Sequence, residues 1–587
     1  MRASTATALP SRALRALRHP VRTSRRLARR WATRRRHARY ERLAPVRALV
    51  ADGHAELTTA RGRRVVAVRR ARTTPWELAA ETADLVSALL DDAGIVHFAT
   101  NHRGTRVTTW AVLETDWPRA LAALADLGTA GDPVYAAPAR SSLGSPLATD
   151  AAVLATLPVL RVFRYVRDLA TGRLLGADMG CELHRWSADE HGRWTAPART
   201  GVVQCVDDLS LGRRARWDGA SEPVLAVNEV PDAFEVTFPV DAVYLWVDDA
   251  DDAWRARRDV VRARLGLAPA GAVGQGDDAH RFRDRGELRH SMRSIETYAP
   301  WIRQIYLVTD DQVPTWLDTS DGRVRVVDHR EIFEDPSLLP TYNSHSIGAQ
   351  VHRIPGLSEH YLLMNDDVLL NRAVEPADFF TPAGQLKVTF SRSARPDVTA
   401  ADRTPVEHAR ERSAALLVRD HGRRPSRLFA HVPVPQRIDV AEELLERYPE
   451  EVRATLASPF RAPSDVVICS WLHLYTALFT GRAVPSALRF GYFNVGDASA
   501  RAKMEKYRTL AGLSTLCVND VPTDDPALDA EVGAWLGDWL ARRFPTPARF
   551  ERDQAAGAVP VPGDGRPAAR ADDEEGPWAS ATASPRT

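Results

Sequence analysis

Tyr361-Leu-Leu-Met-Asn-Asp-Asp-Val-Leu-Leu370 places Asn365, Asp366 and Asp367 between two apolar runs. The first run is typical of a buried strand, so the polar residues are expected at its end. Carboxylates are costly to bury unless a cation or hydrogen-bond donors compensate them. Their oxygens suit Mg²⁺ or Mn²⁺, metals that commonly hold substrate phosphates. A plain solvated turn is the alternative interpretation of the same pattern.

The chain is long enough for several domains. It has 587 residues, 44% of them hydrophobic and 26% charged, as in globular proteins. No apolar run approaches the roughly 20 residues that cross a bilayer, and no secretory signal is apparent, so we expect a cytoplasmic protein. The cysteines are far apart without a CxxC pair, which argues against a zinc site or a disulfide framework. They are Cys181, Cys205, Cys469 and Cys517.

Arginine dominates the beginning of the chain. Residues 1–46 are predicted to form an extension, and Glu41 is the only acid between Arg12 and Arg47. A basic amphipathic segment can bind an anionic membrane surface, each arginine contributing about 1 kcal/mol. That would place the protein peripherally at the inner face of the plasma membrane. A disordered solubilising arm is the alternative, and nucleic acid is less favoured because no recognition motif accompanies the charge.

Residues 47–237 are predicted to form an α/β accessory domain. Val65 to Val68 is typical of a strand. Pro75 to Leu90 is typical of a helix with Thr74 as its N-cap. No catalytic constellation is visible in this region. At the other end of the chain, residues 553–587 are rich in Ala, Pro, Gly and Asp and are predicted to be a disordered tail.

A strand followed by acids occurs three times. Besides the opening stretch, Val240 to Val247 is followed by Asp248, and Ile305 to Thr309 is followed by Asp310. Ligands of open α/β sheets bind outside the carboxyl ends of the strands, so we expect one shared cleft. A carboxylate there could meet a metal, a ribose hydroxyl or a sugar hydroxyl, and Asp248, which lies closest to its strand, is the candidate. Capping of the following helix is the alternative role for these acids.

A stretch rich in arginine separates the first two of these strands. Residues 281–296 are typical of a loop entering a helix, with Asp284 as a plausible N-cap. Arg289 and Arg293 then share one helix face. Their guanidinium groups could bind a phosphate bidentately beside the acidic strand ends. An ordinary solvated helix face is the alternative.

Four ordered blocks carry a more specific pattern. They are Asp241-Ala-Val-Tyr-Leu-Trp-Val-Asp-Asp-Ala-Asp-Asp-Ala-Trp254, the segment from Arg281 to Asn365-Asp-Asp367, the segment from His431-Val-Pro-Val-Pro435 through Pro459-Phe-Arg461 to Asp465, and Cys517-Val-Asn-Asp520. Together they resemble the Stealth family of hexose-1-phosphotransferases over residues 238–552. Asp249 and Asp311 stand where the family usually has glycine, and Gln312 keeps the second half of its Gly-Gln pair.

The resemblance implies an α/β fold with a Rossmann-like or GT-A-like nucleotide-sugar transferase core in residues 238–552. It implies transfer of a sugar 1-phosphate from a nucleotide-sugar to a hydroxyl of a glycan or polysaccharide acceptor. A phosphodiester forms and nucleoside monophosphate leaves, as in the synthesis of capsular or cell-surface polysaccharide. Such a reaction needs charge neutralisation at the diphosphate and a base for the hydroxyl.

These requirements give a set of predicted site residues. His431 lies in an extended segment fixed by prolines and, with an unperturbed pKa near 6.5, could take a proton at neutral pH. The predicted residues are Asp248, His431 and Asp367 for catalysis, Arg289, Arg293, Asn343 and Arg461 for substrate, and Asp366 and Asp367 for Mg²⁺ or Mn²⁺.

Two other classes of function stay open from the sequence. A metal-dependent glycosyltransferase would attack the anomeric carbon and release nucleoside diphosphate. A non-catalytic relative would bind glycan or membrane, but it would have no physical need for all of the acids, arginines and His431.

Overall fold

The computed structural model describes residues 35–139, 141, 143–267, 282–394, 403–506, 510–520 and 525–552. The tail predicted at residues 553–587 and residues 1–34 of the predicted extension lie outside the described residues. The remaining residues of that extension pack into the protein, because Tyr40 and Val46 belong to a hydrophobic cluster with Val65 and Phe163. The folded N-terminal region therefore begins before residue 47.

The N-terminal region is built on one 13-stranded sheet. Its strands are β1 (Ala55–Ala60), β2 (Arg63–Arg70), β3 (His97–Ala99), β4 (Thr109–Leu113), β5 (Val134–Pro138), β6 (Ser145–Pro146), β7 (Val159–Asp168), β8 (Leu174–Leu175), β9 (Cys181–Ala188), β10 (Trp194–Thr195), β11 (Cys205–Val206), β12 (Leu211–Ala215) and β13 (Ser221–Leu225). Its helices are α1 (Ala44–Ala51), α2 (Pro75–Asp92), α3 (Trp117–Ala130) and α4 (Leu147–Leu154).

Helix α2 confirms the predicted start signal. The Thr74 side chain accepts a hydrogen bond from the backbone of Glu77, whose side chain accepts one from the backbone of Thr74. This capping box satisfies backbone donors that the first turn leaves without partners. The same helix joins the two regions of the protein, because Trp76 Nε1 donates to the backbone oxygen of Tyr298 at 3.0 Å.

The C-terminal region has further strands and helices. The strands are β14 (Val240–Leu245), β15 (Ile305–Thr309), β16 (Val324–Asp328), β17 (His360–Met364), β18 (Val368–Leu370), β19 (Leu386–Val388), β20 (Phe390–Ala394), β21 (Arg427–Phe429), β22 (Val434–Arg437), β23 (Ala483–Pro485), β24 (Phe490–Asn494) and β25 (Thr515–Asn519). The helices are α5 (Asp252–Arg264), α6 (Glu287–Tyr298), α7 (His329–Ile332), α8 (Ser344–Gly348), α9 (Pro405–His421), α10 (Ile438–Arg447), α11 (Pro449–Leu456), α12 (His473–Phe479), α13 (Ala498–Met504) and α14 (Pro526–Arg543).

The main sheet of this region has the order β16-β15-β14-β17-β22. The first four strands are parallel, so their carboxyl ends lie along one edge, as the repeated strand–acid pattern predicts. Strand β22 runs antiparallel to β17, with Leu363 opposite Val434. The residues just before β22 therefore lie at the same edge as the residues just after β17. The α/β class of the prediction is confirmed.

A small sheet completes that edge. Strand β18 continues directly from the acids after β17 and pairs antiparallel with β25, which pairs parallel with β24. Val368 stands opposite Cys517 in this pairing. Three distant segments of the chain thus meet where β17 ends. Among the helices of the described residues, none is both long and apolar enough to cross a membrane.

Candidate functional site

A cavity of about 1200 Å³ opens at the carboxyl ends of β14 and β17. A π-helical turn, Ile468–Leu472, contributes part of its wall, and such turns are frequent at functional sites. The lining residues include Arg283, Glu287, Ser344, His345, Asn365, Asp366, Asp367, Thr389, Arg392, Arg410, Phe429, His431, Arg461, Cys469, Trp471, Tyr492, Asn519 and Asp520.

Asp367, His431 and Cys517 form a compact cluster at this edge. His431 Nδ1 lies 3.6 Å from Asp367 Oδ2. The thiol of Cys517 donates to the same oxygen at 3.1 Å, and its sulfur lies 3.6 Å from His431 Nδ1. The side chains of Asp367 and His431 are 20% and 46% exposed, so both can be reached from the cavity. The register of β22 explains the arrangement, since it carries His431 to the end of β17.

The electrostatics of the cluster favour an ion pair between the carboxylate and the imidazole. Burial by itself would raise the pKa of Asp367, but His431 and the Cys517 thiol outweigh burial and hold that pKa below its usual range. Burial by itself would lower the pKa of His431, but Asp367 raises it above its usual value. Asp367 therefore stays ionised and keeps a proton on the Nδ1 side of the ring, which orients the imidazole.

Asp366 sits among carboxyl groups. Burial, followed by the nearby charges of Asp367, Glu287 and Asp284, raises the pKa of Asp366 well above its usual value. Glu287 shows the same crowding, because burial and Asp284 raise its pKa to about 8. Carboxyl groups crowded in this way repel one another unless a cation or protons neutralise them.

This arrangement fits a divalent cation at Asp366 and Asp367. Asp367 Oδ1 is buried and has no hydrogen-bond partner, whereas Oδ2 of the same carboxylate accepts from Cys517. A buried carboxylate oxygen without a donor is the kind of atom that a hard cation satisfies. Oxygens from two adjacent carboxylates are the ligand type that Mg²⁺ and Mn²⁺ prefer.

Arg461 supplies a positive charge on the cavity wall. Its guanidinium group hydrogen-bonds the hydroxyl of Ser344, and both residues line the cavity. Asn343 lies behind this wall and is fully buried. Its amide donates to Asp465 Oδ2 at 2.9 Å, and its oxygen caps the short helix α8 by accepting from the backbone of His345. The structure thus gives Asn343 a supporting position rather than the predicted place in the cleft.

Asp248 lies at the predicted strand end but is absent from the described lining of the cavity. Its carboxylate accepts from the backbone nitrogen of Ala250 at 2.9 Å, which stabilises a turn. Gln312 connects this turn to the next strand end, since its side chain accepts from the backbone nitrogen and donates to the backbone oxygen of Asp248. Asp311, the residue before Gln312, has a φ of 56°. Glycine adopts this left-handed conformation readily, which explains why glycine suits position 311.

Arg289 and Arg293 lie elsewhere than predicted. Arg289 Nε donates to Glu551 at 2.6 Å, and Arg293 donates to both carboxylate oxygens of the same residue at 2.6 and 2.8 Å. Neither arginine is among the described residues that line the cavity. Glu551 follows them by more than 250 residues, so sequence reasoning could not identify this partner. The predicted cap at Asp284 is also wrong, because Gly286 is the residue before α6.

The structure adds residues that the sequence interpretation missed. Cys517 and Asp520 belong to the last of the four blocks, but nothing local marks Cys517 as a neighbour of His431 or Asp520 as part of the cavity lining. Arg283 lines the cavity and binds Asp529 at 2.9 Å. Tyr492 also lines it, and its ring centre lies 6.1 Å from that of His431. The positions of Tyr492 and Cys517 depend on the pairing of β24 and β25, which sets them opposite each other and which no local pattern reveals.

Three segments of the chain match the conserved regions of one protein family. Residues 238–266, 281–388 and 430–478 match the models of Stealth protein conserved regions 1, 2 and 3, respectively. An exopolysaccharide phosphotransferase of Streptomyces coelicolor is 36% identical over 516 residues, covering 84% of this chain and 85% of its own. The exopolysaccharide phosphotransferase CpsY of Mycobacterium tuberculosis is 32% identical over 518 residues, covering 84% of this chain and 92% of its own.

Among solved structures, the galactosyltransferase LgtC in complex with donor and acceptor sugar analogs is similar over 52% of this chain and 95% of its own. The identity is 11% and the TM-score is 0.27, a likeness too weak to support an argument about function.

Proposed function

The chain belongs to the Stealth protein family, and from this membership and the cavity we propose that it is an exopolysaccharide phosphotransferase. It transfers a sugar 1-phosphate from a nucleotide-sugar to a hydroxyl of a glycan acceptor, forming a phosphodiester and releasing nucleoside monophosphate. The relatives in Streptomyces coelicolor and Mycobacterium tuberculosis, which align over 84% of this chain, carry the name of this activity.

The observation that carries the proposal is the contact between Asp367 and His431 beside Asp366 in one cavity. A hydroxyl needs a base to become a nucleophile, and the raised pKa of His431 makes its imidazole a stronger base. The base is the neutral form of the ring: Asp367 holds its one proton on Nδ1, which leaves Nε2 to accept the proton of the acceptor hydroxyl. The hydroxyl oxygen then attacks the phosphorus next to the sugar, and nucleoside monophosphate leaves.

The remaining charges act on the diphosphate. Arg461 lines the cavity and is placed to stabilise phosphate oxygens through its guanidinium group. Asp366 and Asp367 are proposed to hold Mg²⁺ or Mn²⁺, which would supply further positive charge to the diphosphate. Arg289 and Arg293 are left out of this phosphate site because both already pair with Glu551 and neither is among the described residues that line the cavity.

One assay separates the proposed reaction from its alternatives. The full chain is incubated with Mg²⁺ or Mn²⁺, candidate UDP- and GDP-sugars and a glycan acceptor, and the released nucleotide is identified. Nucleoside monophosphate, formed together with a phosphodiester in the product, supports the proposal. Nucleoside diphosphate would replace it with a glycosyltransferase, and no turnover with any donor would favour a binding protein.

We also propose that the arginine-rich extension, residues 1–46, holds the protein at the inner, cytoplasmic face of the plasma membrane through the arginines before residue 35, since the later residues pack into the protein. The support is their charge, since Glu41 is the only acid between Arg12 and Arg47. Flotation with vesicles containing anionic lipid should recover the full chain and lose it in high salt. Equal recovery of a variant in which the arginines before residue 35 are replaced by glutamine would refute this placement.

A further inference from the structure

We propose that Asp367, His431 and Cys517 form a binding site for a thiophilic divalent cation such as Zn²⁺, and that the bound cation blocks transfer. The three side chains offer one oxygen, one nitrogen and one sulfur atom, a donor set that suits Zn²⁺ better than Mg²⁺. The binding stands on geometry alone. Its inhibitory consequence rests on the proposed phosphotransfer.

The distances between the donor atoms match one face of a tetrahedral zinc site. Zinc bonds of about 2.0–2.3 Å at tetrahedral angles place neighbouring donor atoms about 3.3–3.6 Å apart. In the cluster, sulfur lies 3.1 Å from Asp367 Oδ2 and 3.6 Å from His431 Nδ1, and the oxygen–nitrogen distance is 3.6 Å. Shifts of a few tenths of an ångström would therefore suffice to bind the cation.

The position of the cluster leaves room for a fourth ligand. Cys517 is fully buried behind the site, whereas His431 is 46% exposed and faces the cavity together with Asp367. Three protein ligands and one open position are typical of accessible zinc sites rather than closed structural ones. A water molecule or a phosphate oxygen in the cavity can take the fourth position.

Cation binding would remove the base by fixing the wrong tautomer of His431. The cation takes the lone pair of Nδ1, and the Cys517 sulfur binds as thiolate after its proton passes to solvent. The one proton of the neutral imidazole must then sit on Nε2. A protonated Nε2 cannot accept the proton of the acceptor hydroxyl, so transfer stops.

Binding is tested with Co²⁺ as a spectroscopic probe of the full chain after treatment with EDTA and desalting. We expect one equivalent of Co²⁺ to produce thiolate-to-metal charge-transfer absorption, which Zn²⁺ displaces. The Cys517→Ser variant should lose this absorption. Cys469→Ser, which alters a buried thiol that lines the cavity, and Cys205→Ser, which alters an exposed thiol, should keep it.

Three results of the Co²⁺ titration would overturn the proposed metal site. Absorption that persists in Cys517→Ser, or that disappears in Cys205→Ser, would assign the metal to another thiol and overturn the site. No thiolate absorption in the wild type would also overturn it. If Cys517→Ser does not fold, His431→Ala keeps the thiol, and its Zn²⁺ affinity against a chelating dye should fall at least about 10-fold. Unchanged affinity in that variant would reject the site.

Inhibition is tested by titrating Zn²⁺ into the transfer assay at saturating Mg²⁺, with each variant normalised to its own uninhibited rate. The Zn²⁺ concentration for half inhibition should rise at least about 10-fold in Cys517→Ser and stay unchanged in Cys469→Ser. Equal sensitivity of both variants would reject the inhibitory role. If no donor supports transfer, the proposed function fails, while the Co²⁺ titration still decides whether the metal site exists.

Discussion

Two charged regions of the C-terminal half differ in how their charge is compensated. On α6, Arg289 and Arg293 share the carboxylate of Glu551, whose side chain is completely buried. At the end of β17, Asp366 is surrounded by other carboxyl groups, and Asp367 Oδ1 is buried without a partner. The fold pairs the charges of the first region, but in the second it pairs only Asp367, with His431, and leaves Asp366 among carboxyl groups. We therefore expect the first region to stabilise the protein and the second to bind a ligand.

The largest expected effect is that of a substitution at Asp367, at the end of β17. Asp367→Asn should lower nucleoside monophosphate release by at least about 1000-fold, because it removes a proposed metal ligand and the partner of His431. Thermal unfolding should show that the variant stays folded. Asp248→Asn is the matched control, since the Asp248 carboxylate caps a turn outside the described cavity lining, and it should lose less than about 10-fold. Normal turnover by Asp367→Asn would remove Asp367 from the site.

Glu551→Gln should destabilise the protein by removing the carboxylate that pairs with Arg289 and Arg293. Loss of this buried carboxylate leaves two arginines without their counter-charge, which should cost about 3–5 kcal/mol of the free energy of unfolding. Urea denaturation measures the change. Glu531→Gln is the control, because Glu531 is 66% exposed and pairs with Arg501 at the surface, where the cost should stay below about 1 kcal/mol. Similar losses in the two variants would show that Arg289 and Arg293 do not depend on Glu551.

Arg461→Lys should weaken binding of the nucleotide-sugar donor. Lysine keeps the charge but loses the planar fork, so KM for the nucleotide-sugar should rise roughly 10–100-fold. Steady-state kinetics with varied donor give the value. Arg453→Lys, on an exposed position of the nearby helix α11, should leave KM unchanged. An unaltered KM in Arg461→Lys would place the phosphate site elsewhere in the cavity.

The smallest effect concerns stability without metal. In EDTA, Asp366→Asn should raise the free energy of unfolding by on the order of 1 kcal/mol, because it removes a carboxyl group whose pKa is raised by burial and then by the neighbouring carboxylates. Adding Mg²⁺ should stabilise the wild type and reduce or reverse the difference. Calorimetry with and without Mg²⁺ makes the comparison. A variant that is less stable in EDTA would contradict the crowding of carboxyl groups at this edge.

The sequence predicts what local pattern and strand direction determine. The acidic strand ends at Asp248, Asp310 and Asp366 could be assigned to one edge because parallel strands share an edge, and the capping box at Thr74 could be recognised from spacing. His431 was identified through its resemblance to a family block. His431 lies beside Asp367 because β22 pairs antiparallel with β17, and the sequence does not show this pairing.

The partners that decide the role of each charge could not be predicted. Glu551 and Cys517 are separated from Arg293 and Asp367 by 258 and 150 residues, respectively, and no periodicity connects them. The wide spacing of the cysteines argued against a zinc site, but spacing along the chain says little about three side chains that meet through sheet pairing. The spacing of Arg289 and Arg293 correctly placed both on one helix but could not show what that helix packs against.

The pairing of Leu363 with Val434 fixes the length of the short connections that lead from these two residues to Asp367 and His431. Asp367 follows Leu363 by four residues, and His431 precedes Val434 by three, so one inserted residue in either connection would turn a side chain away from its partner. Residues 389–429 lie between two matched regions and are held at both ends by neighbouring strands. We therefore expect a change of length in that segment to reshape the cavity wall while Asp367 and His431 keep their places.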